Sequence, residues 1–195
     1  MSYDEMQLDV LKEVMNIGGG NAATSISSMV NKTIDMKVPD VNILSYQELY
    51  DQIIHEDEEV YAIVSKIIGE VQGVFLFVLG NDSASKMTEF MLGEQTDNPE
   101  IQQSALNELT NIIANSFLGA IGKLIDRQLF AALPVVQYDY FGAIISSMYM
   151  ALDQYDDNIM IIRNEFFYDQ EKLDASLFFI PQQGGIEKIF EALGI

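Results

Sequence analysis

The sequence contains no cysteine and a single histidine, His55. One chain therefore cannot build a Cys–His pair or a histidine-rich metal site. A Ser-His-Asp triad would have to use His55, which sits in the acidic stretch His55-Glu56-Asp57-Glu58-Glu59 and reads as an ordinary loop residue. Long hydrophobic runs are also missing. The longest, such as Val74 to Leu79, fall far short of the roughly 20 residues that span a bilayer. Met1 to Glu5 is acidic, unlike the charged n-region of a secretory signal, so a cytoplasmic location is expected, and the absence of cysteine sits comfortably there. Basic residues are scarce, 10 against 30 acidic ones, for a net charge of −20. Nucleic acid and anionic membrane surfaces are repelled at long range by such a chain. Any acidic partner gains no steering either, so local contacts must recognise it and salt should ease the encounter. What remains is substantial: 195 residues, 49% of them hydrophobic, are enough for one large domain or two small ones with a real core. Any catalysis falls to carboxylates, amides and hydroxyls.

Comparison of the chain with itself is the most informative step. Asp9 to Ile17 aligns with Ser104 to Ile112, and each segment then runs 22 residues from its asparagine to a proline, Pro39 or Pro134. The offset is 95 (104 − 9 and 134 − 39). Further on, Leu76-Phe77-Val78 and Met91-Leu92-Gly93 align with Leu177-Phe178-Phe179 and Ala192-Leu193-Gly194 at an offset of 101. Two repeats, about 1–95 and 96–195, are expected to form a single domain with internal pseudo-two-fold symmetry, because either half alone would leave apolar faces uncovered.

Helical periodicity covers residues 4 to about 31 and 100 to about 131. Pro39 and Pro134 mark extended starts. Strands are expected over 59–68, 71–79, 134–141, 158–167 and 174–180. Ser45 and Glu48 have the spacing of a capping box for a short helix. Asp82-Ser83 is expected to cap a helix ending near Gly93, with 184–194 as its counterpart. Helix–strand–strand–helix units point to an α+β layer structure with antiparallel pairing. Gly18-Gly19-Gly20 conflicts with the first helix, since each glycine costs about 1 kcal/mol relative to alanine there. The second copy has Ile113-Ala114-Asn115 at those positions, which favours a continuous helix with close backbone packing.

Asp9, Glu13 and Asn16 are spaced i, i+4, i+7 and fall in a narrow arc of one helix face. Leu8, Val10, Leu11, Val14, Met15 and Ile17 cover much of the rest. Ser104, Glu108 and Asn111 form the same stripe on the second helix, away from Leu106, Leu109, Ile112 and Ile113. A solvated helix face would account for one such stripe. Asparagine is a mediocre helix former because its side chain competes for backbone hydrogen bonds. Its recurrence three residues after a glutamate points to a shared role.

This pattern resembles the signature of the CheC, CheX and FliY phosphatase family: aspartate or serine, three residues, glutamate, two residues, asparagine, 22 residues, proline. Asp9, Glu13, Asn16 and Pro39 match every position, and Ser104, Glu108, Asn111 and Pro134 match again. A complete motif in both halves is similar to CheC rather than CheX, and no residues remain for the flagellar-switch domain that ends FliY. The resemblance implies paired long helices on a six-stranded antiparallel sheet. It implies dephosphorylation of the aspartyl phosphate of a CheY-like response regulator, with Glu13 and Asn16 forming one catalytic site and Glu108 and Asn111 the other. Asp9 and Ser104 would assist docking. No cofactor of the chain's own is expected; the regulator brings Mg²⁺. A CheD-like receptor deamidase is an implied second partner, with the exposed faces of 83–93 and 184–194 as places to look.

Three other readings are weaker. Gly18-Gly19-Gly20-Asn21-Ala22-Ala23 has the look of a dinucleotide fingerprint, but that motif follows a strand, and here a helical pattern precedes it. A di-metal carboxylate bundle would use Glu-x-x-His pairs, where this chain has Glu-x-x-Asn twice. The third is non-enzymatic: an adaptor that binds the phosphorylated regulator or a CheD-like protein without turnover. The ten methionines, Met87 and Met91 among them, are expected to fill the core.

Overall fold

The first long helix, α1 (Glu5–Val30), begins with a reciprocal cap in a computed structural model that describes residues 3–37, 41–151, 158–168 and 171–195. The Asp4 carboxylate accepts from the Gln7 N–H at 2.8 Å, and the Gln7 side chain accepts from the Asp4 N–H at 3.1 Å. Two donors that every helix start leaves open are thereby satisfied. The helix runs straight through Gly18–Gly20. A Cβ on Gly18 would stand 3.0 Å from Cδ2 and Cε2 of the Phe117 ring. Close packing against the second long helix therefore explains the glycine, as the sequence led us to expect.

After α1 come strands β1 (Ile34–Lys37) and β2 (Val41–Ser45), helix α2 (Tyr46–Gln52), strands β3 (Glu59–Gly69) and β4 (Gly73–Leu79), and helix α3 (Asn81–Leu92). The same succession then recurs: α4 (Pro99–Leu124), β5 (Leu129–Ala131), β6 (Val135–Tyr140), α5 (Phe141–Ala151), β7 (Asn158–Tyr168), β8 (Glu171–Pro181) and α6 (Gly185–Leu193). The fold is α+β. Among the described residues, eight strands occupy six positions across one antiparallel sheet, because β1 and β2 both pair with β7 and β5 and β6 both pair with β3. The order is palindromic, β1/β2-β7-β8-β4-β3-β5/β6, with β4 and β8 at the centre. Each half of the chain completes the sheet edge of the other, so neither half closes its own sheet.

Four sequence expectations need correction. The second long helix stops at Leu124 instead of near 131. Ile121, Ile125 and Leu129 keep the i, i+4, i+8 spacing of a helix and are all buried, but the last is reached by a turn. Asp126 adopts a left-handed φ of 52° and the Arg127 N–H donates to the Gly122 carbonyl at 2.9 Å. Second, strand β1 was not expected: β2 follows at Val41, in keeping with an extended start near Pro39, which itself lies outside the described residues, but extended structure also precedes the proline. Third, α3 starts off Gly80, with Asp82 and Ser83 in its first turn and no side-chain cap. A Cβ on Gly80 would clash with the Asp174 carboxylate at 1.9 Å, and the Gly80 N–H donates to the Asp174 carbonyl; close packing against the neighbouring strand β8, not capping chemistry, sets this start. Fourth, α5 begins at Phe141, where only the end of a strand was expected. Ser45 does cap α2, with Glu48 returning the bond at 2.8 Å.

The sheet is buried on both faces. Phe75, Phe77 and Leu79 of β4 join α1, α3, α4 and α6 in one core, and Val74, Leu76 and Val78 join α2 and α5 in a second. That is why β4 reads as a continuous apolar run rather than an alternation. Methionine is divided: Met15, Met87 and Met148 are buried, whereas Met6 and Met150 are exposed.

Two measurements test this packing. Gly18→Ala forces a methyl onto a Phe117 ring that is wholly buried against Phe75 and Phe179. Overpacking of this kind should destabilise by about 1–3 kcal/mol despite alanine's better helix propensity. Gly20→Ala, in open space, should instead stabilise by about 0.5–1 kcal/mol. Thermal melts that rank the two variants in the opposite order would contradict the interlocked helices. Thr110 is fully buried with no hydrogen-bond partner for its Oγ1. Thr110→Val keeps the shape and removes that group, so the melting temperature should rise by about 2–4 °C.

Candidate functional site

The contact between α1 and α4 decides which residues face outward. Gly18 meets Phe117, and the Ser116 hydroxyl donates to the Ser25 hydroxyl at 2.8 Å. Both motif stripes lie on the N-terminal side of this contact on their own helices. On α1, Leu11, Val14 and Met15 are buried while Asp9, Glu13 and Asn16 are exposed. On α4, Leu106, Leu109 and Ile113 are fully buried, Ser104 and Glu108 are exposed, and Asn111 is half-buried. Neither asparagine points into the core. The structure therefore brings Asp9, Glu13 and Asn16 together as one surface stripe and Ser104, Glu108 and Asn111 as another. Pro134 leads into β6 at Val135.

The two stripes differ in their surroundings. The Asn115 Nδ2 donates to both the side-chain Oδ1 and the main-chain oxygen of Asn111, each at 2.8 Å. At the corresponding place on α1 stands Gly20, and among the described residues the Asn16 side chain has no hydrogen-bond partner. Beside the second stripe, Met91 and Leu92 at the end of α3 meet Glu100, Ile101, Ser104, Ala105 and Glu108 around an open, mostly apolar cleft of about 360 Å³. Leu92 and Ile101 are each 43% exposed. Sequence inspection missed this cleft, because it needs the end of one helix to be set against the start of the next. The only signal was an apolar residue three positions before each motif, Ile101 before Ser104 and Met6 before Asp9; Met6 is 67% exposed.

His55 is an exposed residue between α2 and β3, its Nδ1 accepting from the Asp57 N–H at 3.3 Å. It is remote in the chain from both stripes. Among the described residues no group of three or more His, Asp or Glu side chains is placed to hold a metal ion. None of the described helices is long and apolar enough to cross a membrane. The chemistry available at each stripe is a carboxylate that can pair with a cation and an amide that can orient a small polar molecule. Neither is a strong base.

Residues 6–43 match the CheC-like family, and residues 60–152 match the chemotaxis phosphatase CheX. The chain is 34% identical to the CheY-P phosphatase CheC of Bacillus subtilis, over 97% of this chain and 95% of that protein. Its fold is similar to the crystal structure of Thermotoga maritima FliY, with a TM-score of 0.82 at 18% identity, covering 100% of this chain and 98% of the other. It is also similar to the chemotaxis protein CheX from Desulfovibrio desulfuricans, with a TM-score of 0.60 at 13% identity, covering 87% and 99%. On this near full-length identity and the two matched motifs, the chain belongs to the CheC family.

Proposed function

We propose that this chain hydrolyses the aspartyl phosphate of a CheY-like response regulator in chemotaxis, in the cytoplasm, using two surface sites on one domain made of two repeats. The observation that carries the reading is the outward pair of a glutamate and an asparagine on each long helix. The activity named for the Bacillus subtilis relative supports it.

An acyl phosphate is a mixed anhydride and already activated. The regulator supplies its own Mg²⁺ and a lysine to neutralise charge, so the phosphatase has little covalent chemistry left to do. What it must add is a water held in line with phosphorus. An amide can orient that water, as glutamine does in GTPases. Asn16 and Asn111 take this role, each inserted beside the phosphoryl group of a docked regulator. Glu13 and Glu108 pair with the regulator's lysine and anchor the helix, and Asp9 and Ser104 assist docking. Positioning of this kind accounts for a few kcal/mol, about a hundredfold in rate.

The test is loss of phosphate from a phosphorylated regulator. Asn16→Ala combined with Asn111→Ala should abolish the acceleration, about a hundredfold or more, while either substitution alone leaves the other site working. Undiminished turnover by the double variant would rule the assignment out. A non-enzymatic adaptor would leave the phosphoryl half-life unchanged or lengthen it, whereas a phosphatase shortens it at substoichiometric amounts. Repeating the assay with a CheD-like deamidase tests the second partner that family membership implies. Because the chain carries a net charge of −20, the KM for an acidic phosphorylated regulator should fall as salt rises from low ionic strength, as screening relieves the repulsion.

A further inference from the structure

We infer that Asn115 is a positioning residue that holds the amide of Asn111, so that the second site works faster per encounter than the first. This rests on the asparagine role proposed above.

Asn115 lies one helical turn beyond Asn111, the i, i+4 spacing that brings side chains into contact. Its Nδ2 makes a forked hydrogen bond to the main-chain oxygen and the Oδ1 of Asn111, both at 2.8 Å. The fork determines which way both amides point. A main-chain oxygen can only accept, so the amino end of Asn115 must face Asn111, and only the carbonyl end of Asn111 can meet it. The Asn111 amino group is therefore turned away from Asn115, and one lone pair of Oδ1 remains for a water. Asn111 is also half-buried, where Asn16 is exposed.

The first site lacks this device. Gly20 occupies the position four residues after Asn16, and a Cβ there would meet nothing within 4 Å. Asn16 must then lose its side-chain freedom after docking, as the attacking water is brought into line in the transition state, a loss that Asn111 has already undergone in the free protein. Two sites with the same signature thus differ in preorganisation, and the difference comes from a residue outside the signature.

The variants are read one site at a time, with a regulator phosphorylated by a small-molecule phosphodonor. In an Asn16→Ala background only the second site acts. There Asn115→Ala, and Asn115→Asp, which keeps the shape but cannot donate, should lower kcat about three- to tenfold. The KM and the melting temperature should stay within error. In an Asn111→Ala background only the first site acts, and Gly20→Asn should raise its kcat by a similar factor. A purely structural role for Asn115 would not produce that gain. Unchanged kcat in the Asn115 variants, or no gain from Gly20→Asn, overturns the inference while leaving the proposed function intact. If Asn16→Ala with Asn111→Ala turns over regulator undiminished, the asparagine assignment falls and takes the inference with it.

Discussion

The packing of α1 on α4 is the constraint from which the rest follows. Gly18 removes the one side chain that would hold the helices apart, and the Phe117 ring fills the space between α4 and the sheet residues Phe75 and Phe179. A ring in that place fixes the rotation of both helices. Successive residues of a helix are about 100° apart around its axis, so a one-residue error in rotation would carry either the two glutamates or the two asparagines, according to its direction, from the surface to buried positions. The outward stripes are thus a consequence of core packing, not of any contact the stripe residues make with one another.

The sheet enforces the same arrangement from below. Its palindromic order places β1 and β2 on a strand of the second half and β5 and β6 on a strand of the first. Such interlocking ties the orientation of one long helix to that of the other. With both faces of the sheet covered, by α1, α3, α4 and α6 on one side and α2 and α5 on the other, the outer surfaces of the long helices are left free for a partner.

For the proposed reaction, an exposed helix face is suited to its task. The substrate brings an activated bond and the groups that neutralise it, so a deep pocket, a nucleophile and a base are not required. A side chain that projects from a rigid rod can reach into the partner's site. The open cleft beside Ser104 and Glu108 gives the second stripe an apolar neighbour that differs in kind from its polar residues. The heavy acidic charge places all recognition in such short-range contacts.

The motif, its repetition, the antiparallel α+β class and the outward direction of both stripes were legible from the amino acids alone, because each depends on short-range spacing: 3.6 residues per helical turn, proline after a fixed interval, apolar residues on one side of a stripe. The boundary at Leu124 was not, since Ile121, Ile125 and Leu129 bury equally well through a turn as through a continued helix. Helix α5 and the short β1 and β5 were equally hidden, because pairing partners far along the chain decide them. The difference between the two sites is local, Asn115 against Gly20 one turn beyond each asparagine; matching signatures say nothing of which amide is held, and only the side-chain geometry shows Asn115 donating to Asn111. What the tertiary structure alone decided is the sheet pairing between the halves and the cleft beside Ser104 and Glu108, because both depend on elements distant in the chain.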